Sequence, residues 1–495
     1  MKILIIGGVA AGTKTAAKLK REDRNIDVTV ITKDKDISYA GCGLPYYVGG
    51  LIEGRDELIV NTPQKYSALT GVEVRTGKEA VALDAEKKQV TVQDVQTGEK
   101  EVCSYDRLVV AVGASPAILP IEGKELAGVF KMRTPDDAEG IRTYAEQNNV
   151  KKAVVIGAGF IGLEAAENLQ AKGIQVTVID FADQILPNIF DPEMALYAKR
   201  HLIRQGIRVL TGTKAEQIYE RGTQGRVAGI KTSAGNLPCE MIIMAAGIRP
   251  NTEFLNDSGI EMFKGTILTD DQMKTNLDDV YAAGDCVMVK NRLTGKRQWS
   301  PMGSSANLEG RTLAQVLAGA QKSYPGVLGT GVVKLPGLNA GRTGLTEAQA
   351  KEAGYDVVTA LVPTDDKAHY YPDASFFITK LIADRSTRKL LGVQVFGPGS
   401  VDKMVDIAVM GLNMGAVLDE NADFAYAPPF STAIHPFVQA VYVLMNKLDG
   451  TIVSMTPAEY AAGKAEGYTV VDVAPEPSIR GAVYVNLGAV NGEIK

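Results

Sequence analysis

The sequence predicts an α/β protein built from two Rossmann-like units and a separate α+β domain. A short apolar run, a glycine-rich turn and a helical pattern begin at Ile3, and the same succession returns at Ala153. A later stretch, 355–447, has strand-like and helical patterns of its own. The length of 495 residues fits about three domains of ~150 residues each.

The first unit is predicted as a strand at 3–6, a turn at 7–12, a helix over 10–21 and a second strand over 26–32. A continuous apolar run such as the first strand is typical of a strand buried in a parallel sheet. In the turn, Gly7 and Gly12 occupy positions where backbone approaches a ligand or packs closely, but Val9 takes the middle glycine position. The unit is therefore an irregular dinucleotide-binding turn.

The second unit is more regular, with a strand at 153–156, a helix ending near 172 and a strand over 174–180. Gly157, Gly159 and Gly162 follow the first strand and open the helix. In this motif the first glycine makes the turn, the second lets backbone reach a pyrophosphate, and the third packs helix on strand. The alternative is a tight strand–helix turn that binds nothing.

Asp180 ends the second strand of this unit, where an acidic side chain accepts a hydrogen bond from a ribose 2′-hydroxyl and repels a 2′-phosphate. The stretch 181–198 contains no Lys or Arg that could bind such a phosphate. The sequence therefore favours NADH over NADPH.

The rest of the chain continues the α/β pattern. Further predicted features are a strand-rich span at 81–115 that ends near Gly113, a similar span at 206–247, a glycine turn at Gly284 and Asp285, a helix over 307–317, a boundary at 325–345, strands over 375–383 and 389–396, and a helix over 401–414.

Composition excludes several classes of partner. The 53 Lys and Arg residues against 58 Asp and Glu give a net charge of −5, which offers no electrostatic case for nucleic acid or an anionic membrane. No uncharged apolar run reaches the ~18 residues of a membrane span, and we expect no signal peptide, because the apolar run at the N-terminus is too short for one. The four scattered cysteines suit neither a disulfide scaffold nor a metal site. We therefore expect a soluble, cytoplasmic protein without a metal.

Cys42 lies ten residues after the second strand of the first unit, near the sheet edge where ligands bind. If a helix begins there, its N-terminal dipole is expected to lower the pKa of the thiol and favour the thiolate. The alternative is an incidental cysteine, the usual fate of a lone one.

Three segments, 38–47, 281–286 and 426–431, carry a resemblance to a known family. They resemble the single-cysteine members of the FAD- and NAD(P)H-dependent pyridine nucleotide-disulfide oxidoreductases, which include coenzyme A-disulfide reductase, persulfide reductase and NADH oxidase. The resemblance runs from residue 1 to about 447. It implies an FAD-binding domain at 1–115 and 248–324, an NAD-binding domain at 116–247, a dimerisation domain at 325–450 and a homodimer.

The resemblance also assigns the FAD site. It places Gly7, Ala11, Gly12, Gly113 and Asp285 against FAD, with the aspartate near the ribityl–pyrophosphate region. This chain departs from the usual pattern at the end of the second strand, where Thr32 occupies the position at which an acidic residue is expected. Asp34 and Asp36 are the two candidates to take over the role of that acidic residue.

Two positions separate the branches of the family. Two-cysteine members carry a second cysteine where this chain has Tyr47, and the oxidase branch carries a flavin-facing histidine where it has Ala10. The resemblance therefore implies reduction of a low-molecular-weight disulfide or persulfide, with Cys42 forming a mixed disulfide. It implies proton donors from the partner subunit at Tyr426 and at Tyr371, with Tyr370 as a near alternative to the latter.

Substrate contacts are implied at Ser38 and on the first helix. Lys14, Lys18 and Arg21 share one helical face, where they could meet phosphates of a CoA-like ligand; the alternative is a solvated basic face. Gly41 and the Ile434–His435 pair depart from the CoA-disulfide pattern, and His435 is an alternative acid/base.

The stretch 451–495 resembles the opening strands of a rhodanese module but has no cysteine to carry a persulfide. The alternative is a structural tail. Two further functions stay open: an NADH oxidase that reduces oxygen, and a non-catalytic flavin-bearing subunit that docks a partner protein.

Overall fold

The computed structural model describes residues 1–220, 222, 225–420 and 423–486. Its α-helices, α1 to α11 in chain order, are Ala10–Glu22, Leu44–Gly49, Pro63–Thr70, Pro135–Gln147, Phe160–Ala171, Pro192–Arg204, Gly303–Leu317, Glu347–Glu352, Val401–Met414, Pro436–Leu448 and Pro457–Ala461. Short 3₁₀ turns occupy Gly41–Gly43, Arg55–Leu58 and Glu253–Leu255.

The strands, β1 to β29 in chain order, are Lys2–Ile6, Asp27–Ile31, Glu73–Arg75, Lys78–Asp84, Gln89–Asp94, Lys100–Ser104, Arg107–Val110, Ala114–Pro116, Val129–Lys131, Lys152–Ile156, Gln175–Ile179, Arg208–Leu210, Ala215–Glu220, Val227–Thr232, Gly235–Pro238, Met241–Met244, Ile248–Pro250, Met262–Phe263, Thr266–Leu268, Val280–Ala282, Val287–Lys290, Arg297–Trp299, Gly331–Leu335, Leu338–Gly344, Val357–Asp365, Phe376–Asp384, Leu390–Gly397, Val471–Asp472 and Val483–Tyr484.

Two parallel sheets organise the first two-thirds of the chain. The first has the order β20-β7-β1-β2-β3, so a strand from far along the chain completes the sheet that the N-terminus begins. The second has the order β12-β11-β10-β16-β9. Their central strands β1 and β10 are almost wholly buried, as expected of strands in parallel sheets covered on both faces. The predicted α/β fold with two Rossmann-like units is confirmed.

The third sheet is antiparallel and has the order β23-β24-β27-β26-β25. Helices α9 and α10 pack against it and share its apolar core. Smaller sheets, β4-β5-β6, β13-β14-β15, β8-β17 and β18-β19-β21-β22, extend the two parallel units. The limits given above for the domains stay predictions.

Boundaries differ slightly from the sequence expectations. Helix α7 begins at Gly303, before the expected residue 307. In the tail, β28 and β29 pair in parallel as a two-stranded sheet. No helix within the described ranges is long and apolar enough to cross a bilayer.

A buried ion cluster joins the second unit to the third sheet. The Nζ of Lys380 on β26, only 1% exposed, lies 2.9 Å from Asp191, 2.6 Å from Glu193 and 2.7 Å from Glu347. Gln394 on β27 also donates to Asp191 at 2.8 Å. A single cation thus neutralises carboxylates from both sides of the interface.

Replacing Lys380 with Met should lower the unfolding free energy by about 3–5 kcal/mol, because it removes the buried cation that Asp191, Glu193 and Glu347 share. Denaturant titration measures this loss. The matched control is Lys351→Met, which removes an exposed partner of Glu347 and should cost less than about 1 kcal/mol. Equal losses of unfolding free energy in the two variants would contradict the role of Lys380 as the stabilising cation of the cluster.

Candidate active site

The two glycine turns have the same backbone geometry. Gly157 has φ +110°, and a Cβ on Gly162 would collide with the carbonyl oxygen of Gly157. Gly7 and Gly12 repeat this arrangement in the first unit. At Gly159, in contrast, a Cβ would meet no protein atom within 4 Å. The first and third glycines therefore shape each turn, and the middle of the second turn is open for a ligand.

Both turns open into one continuous cleft of about 3230 Å³. The cleft is large enough for extended cofactors, and the sequence-predicted residues that line it are Gly7, Ala11, Cys42, Gly113, Gly157, Gly159, Asp180 and Asp285. Gly12 and Gly162 lie at the buried bases of the turns. The structure thus brings the candidate cofactor residues of both units to one space with Cys42.

The turn at Gly284 and Asp285 is hydrogen-bonded to a buried residue that was not predicted from the sequence. Glu309 on α7 is buried, and its Oε2 accepts a hydrogen bond from the Gly284 N–H at 2.6 Å. Burial raises the pKa of Glu309 to about 8. Burial also raises the pKa of Asp285, although Arg133, 3.9 Å away, opposes this shift. Glu309 therefore positions the turn that presents Asp285.

The structure distinguishes the two acidic residues that could replace Thr32. Asp36 already accepts a hydrogen bond from Arg55 at 2.6 Å, whereas Asp34 lines the cleft. Thr32 itself is buried. Asp34 is thus the carboxylate that is available to a ligand bound at the first turn.

Asp180 is fixed at the rim of the second turn. Its Oδ2 accepts from the N–H of Ala158 at 2.6 Å, and its Oδ1 accepts from the N–H of Ala182 at 2.8 Å. These bonds hold the carboxylate beside the glycine turn while it still lines the cleft. The side chain therefore has a defined orientation before any ligand arrives.

Cys42 lies in the 3₁₀ turn Gly41–Gly43, directly before α2, and is exposed to the cleft. The expectation of a lowered pKa is wrong. Partial desolvation by the surrounding protein raises the pKa of its thiol, and the negative charges of Glu164 and Asp285 raise it further. The positive charge of Arg133 lowers the pKa, but its effect is smaller. Helix α2, which follows the cysteine, has only six residues.

Glu164 is the main feature of the site that sequence reasoning missed. It lies in the first turns of α5, lines the cleft and accepts a hydrogen bond from the hydroxyl of Tyr46 at 3.2 Å. Burial raises the pKa of Glu164 to about 7. Its position two residues after Gly162 was the available signal, but its partner on α2 could only be found in three dimensions.

The candidate tyrosines lie in the third domain, outside the lining of the cleft. The hydroxyls of Tyr370 and Tyr426 are 3.4 Å apart, and both side chains are exposed. This contact raises the pKa of Tyr426. Tyr371 is also exposed but does not share it. Within one subunit, the structure therefore pairs Tyr426 with Tyr370 rather than with Tyr371.

The three basic residues predicted to share one face of α1 differ in exposure. Lys18 pairs with Glu22, Lys14 is half-buried, and Arg21 is exposed. Ser38 is half-buried with φ +47°. These four residues lie outside the lining of the cleft that contains Cys42.

His435 has a structural contact in this subunit. It is buried at the start of α10, and its Nδ1 accepts the N–H of Phe437 at 3.2 Å. Burial, assisted by Lys403, lowers the pKa of His435 to about 4. A neutral, buried ring that caps a helix is poorly suited to exchange protons with a substrate.

Two dinucleotide turns that open on one cysteine-bearing cleft define an oxidoreductase of the two-dinucleotide type. The match to the pyridine nucleotide-disulphide oxidoreductase family spans residues 1–306, and the match to the dimerisation domain of that family spans 332–437. The chain belongs to this family, which confirms the resemblance drawn from the sequence. Membership implies FAD and NAD(P)H as cofactors.

Individual relatives agree with this assignment. An NADH oxidase from Methanocaldococcus jannaschii is 34% identical over 90% of this chain and 99% of its own. An NAD(P)H coenzyme A polysulfide/persulfide reductase from Pyrococcus horikoshii is 35% identical over 90% and 98%. The crystal structure of reduced Bacillus anthracis CoADR-RHD superposes with a TM-score of 0.93 at 31% identity, over 98% of this chain and 88% of that one.

Proposed function

We propose that this enzyme uses NAD(P)H to reduce a low-molecular-weight disulfide or persulfide through Cys42. The single observation that carries the proposal is that Cys42 is exposed in the same cleft as both dinucleotide turns. A sulfur placed there can receive electrons that enter from a nicotinamide. The relatives named for coenzyme A, polysulfide and persulfide support the substrate class.

The residues at both turns fit the implied cofactors. Gly7, Ala11, Gly113 and Asp285 would hold FAD, and open space surrounds the middle glycine of the second turn, Gly159, where the NAD(P)H pyrophosphate would lie. When bound, FAD supplies an electron carrier between nicotinamide and sulfur.

Cys42 is the nucleophile that forms the covalent intermediate. Its thiolate attacks one sulfur of the substrate, releases the other half as a thiol and retains the first half in a mixed disulfide. An electron pair from NAD(P)H then breaks this S–S bond, and the second thiolate needs a proton. In a homodimer, Tyr426 with Tyr371 or Tyr370 would come from the partner subunit to assist this step.

The substrate has a candidate binding surface on α1. Lys14, Lys18, Arg21 and Ser38 suit the phosphates of a CoA-like thiol, and the two lysines and the arginine share one helical face. The salt bridge between Lys18 and Glu22 would have to exchange for such a phosphate.

Oxygen reduction is the second candidate, favoured by the relative named NADH oxidase. Against it, Ala10 lines the cleft at the start of α1. An alanine offers no proton donor there.

Replacing Cys42 with Ser should abolish NADH oxidation that depends on added disulfide or persulfide, because serine cannot form the mixed disulfide. FAD content should be unchanged. Cys103→Ser serves as the matched control, since Cys103 is a buried cysteine of strand β6 and does not line the cleft. Assays without oxygen and with a panel of disulfides and persulfides measure the effect, and undiminished turnover of every compound by the Cys42 variant would refute the function. Oxygen consumption faster than any disulfide rate in the unaltered enzyme would favour the oxidase instead.

Asp180 supports a preference for NADH. Replacing it with Asn keeps a hydrogen-bond acceptor but removes the charge that repels a 2′-phosphate, so kcat/KM for NADPH relative to NADH should rise at least about tenfold. The control is Asp183→Asn, three residues further on and exposed. An unaltered ratio in the Asp180 variant would contradict the assignment.

A further inference from the structure

We propose that Arg342 and Gln298 form a binding site for a small oxyanion, of the class of inorganic phosphate and sulfate. The site lies where the hairpin of β21 and β22 meets the third sheet. It involves neither Cys42 nor the two glycine turns, and the proposal does not depend on the reaction assigned to the enzyme.

Arg342 is a buried cation with incomplete hydrogen bonding. It is 6% exposed and lies on β24, in register with Gly331 of β23 and Gln394 of β27. Its Nη2 donates to the carbonyl oxygen of Gly344. Within the described part of the chain, its Nε is buried without a hydrogen-bond partner. Buried polar groups are nearly always paired with protein, water or an ion, so we expect a partner for this nitrogen.

The carboxylate that acts on the charge of Arg342 is already bound to other groups. Burial lowers the pKa of Arg342 to about 10, and Asp191 opposes this shift. However, Asp191 contacts the Nζ of Lys380 at 2.9 Å and accepts from Gln394 at 2.8 Å. It also accepts from the N–H of Glu347 at 3.2 Å. A buried charge is costly without a contacting counter-ion, and an anion at Arg342 would reduce that cost.

A second donor is held in a fixed orientation by the hairpin. Asn291 is buried, and its Oδ1 accepts from the N–H groups of Leu293 and Thr294 at 2.9 and 3.0 Å. Its Nδ2 therefore points the other way and donates to Oε1 of Gln298 at 2.7 Å. Because Oε1 of Gln298 accepts this bond, the opposite side of the amide presents the two N–H donors of Nε2.

The two donors converge on one point beside Gly329. A Cβ built on that glycine would lie 3.4 Å from Nε2 of Gln298 and 3.7 Å from Nη2 of Arg342. Gly329 has φ +70°, a left-handed conformation that glycine adopts without strain, so no side chain of its own separates the donors. All three residues line the cleft, and an ion can therefore reach them from solvent.

The donor set fits a tetrahedral oxyanion. The planar guanidinium of Arg342 can donate from Nε and Nη2 to two oxygens of one anion, and Gln298 can donate to a third oxygen. A halide offers a single atom to these groups, and a carboxylate offers two oxygens. The carbonyl oxygen of Gly344 lies 3.8 Å from the same Cβ position but accepts from Arg342, so it does not face the anion without a donor.

The test measures binding of radiolabelled inorganic phosphate to the FAD-loaded full chain by equilibrium dialysis, with excess NAD⁺ present to occupy the second glycine turn. Gln298→Leu removes the amide donor and keeps the cation, whereas Arg342→Met removes the cation. Lys296→Met is the matched control, because it removes an exposed cation of the same hairpin that also lines the cleft. Circular dichroism and FAD content establish that each variant is folded.

We expect the unaltered enzyme to bind one phosphate per subunit that Arg342→Met does not bind. Phosphate affinity should fall at least about tenfold in Gln298→Leu, the loss expected for a hydrogen bond to a charged group, and stay within about twofold in Lys296→Met. Sulfate should displace the labelled phosphate, whereas chloride at the same ionic strength should not. Phosphate should also raise the unfolding midpoint of the unaltered enzyme but not that of Arg342→Met.

Equal phosphate binding by the unaltered enzyme and Arg342→Met would overturn the proposal, as would an unfolding midpoint that phosphate does not change. A loss of affinity in Lys296→Met as large as that in Gln298→Leu would also overturn it, because the cleft would then attract phosphate by its general charge. Displacement by chloride as effective as that by sulfate would refute an oxyanion site. Disulfide reduction is not measured in any arm, so these results are independent of the proposed function.

Discussion

The packing of α5 against α2 is the contact on which the site depends. Helix α5 begins at the second glycine turn, and α2 directly follows Cys42. The two helices approach so closely that a Cβ on Gly49 would collide with the side chain of Asn168. On another side, a Cβ on Gly331 of β23 would press against the Phe160 ring of α5. One helix thus sets the separation between the dinucleotide turn, the cysteine and the third domain.

This arrangement surrounds Cys42 with more negative than positive charge. Glu164 comes from α5 and Asp285 from the turn that precedes α7, and Arg133 opposes their effect on the thiol. Attack by the thiolate is favoured at higher pH, whereas protonation of the leaving thiolate is favoured at lower pH. Two such opposing requirements in one site give a rate that is greatest between them.

The sequence predicted what local patterns determine. The glycine spacings, the apolar runs of β1 and β10, and the helix Val401–Met414 depend on neighbours in the chain, and each was found where it was expected. Glu309 and Lys380 were not predicted, because their partners lie on other elements.

The shift in the pKa of Cys42 was also predicted in the wrong direction, again because the groups that cause it lie on other elements. The sequence shows that a helix follows the cysteine, but it does not show that the helix is short or that carboxylates from two other elements face the sulfur. His435 gives a second example, since only the fold reveals that its ring caps α10.

The central claim, that NADH reduces a mixed disulfide on Cys42, is tested most directly by an anaerobic titration. The holoenzyme is incubated with excess small disulfide, desalted and titrated with NADH, while flavin absorbance and released thiol are followed. The account predicts that the first equivalent of NADH per subunit passes through the flavin to the sulfur and releases the captured thiol, and that the second equivalent leaves the flavin reduced. Full flavin reduction by the first equivalent, with no thiol released, would contradict it.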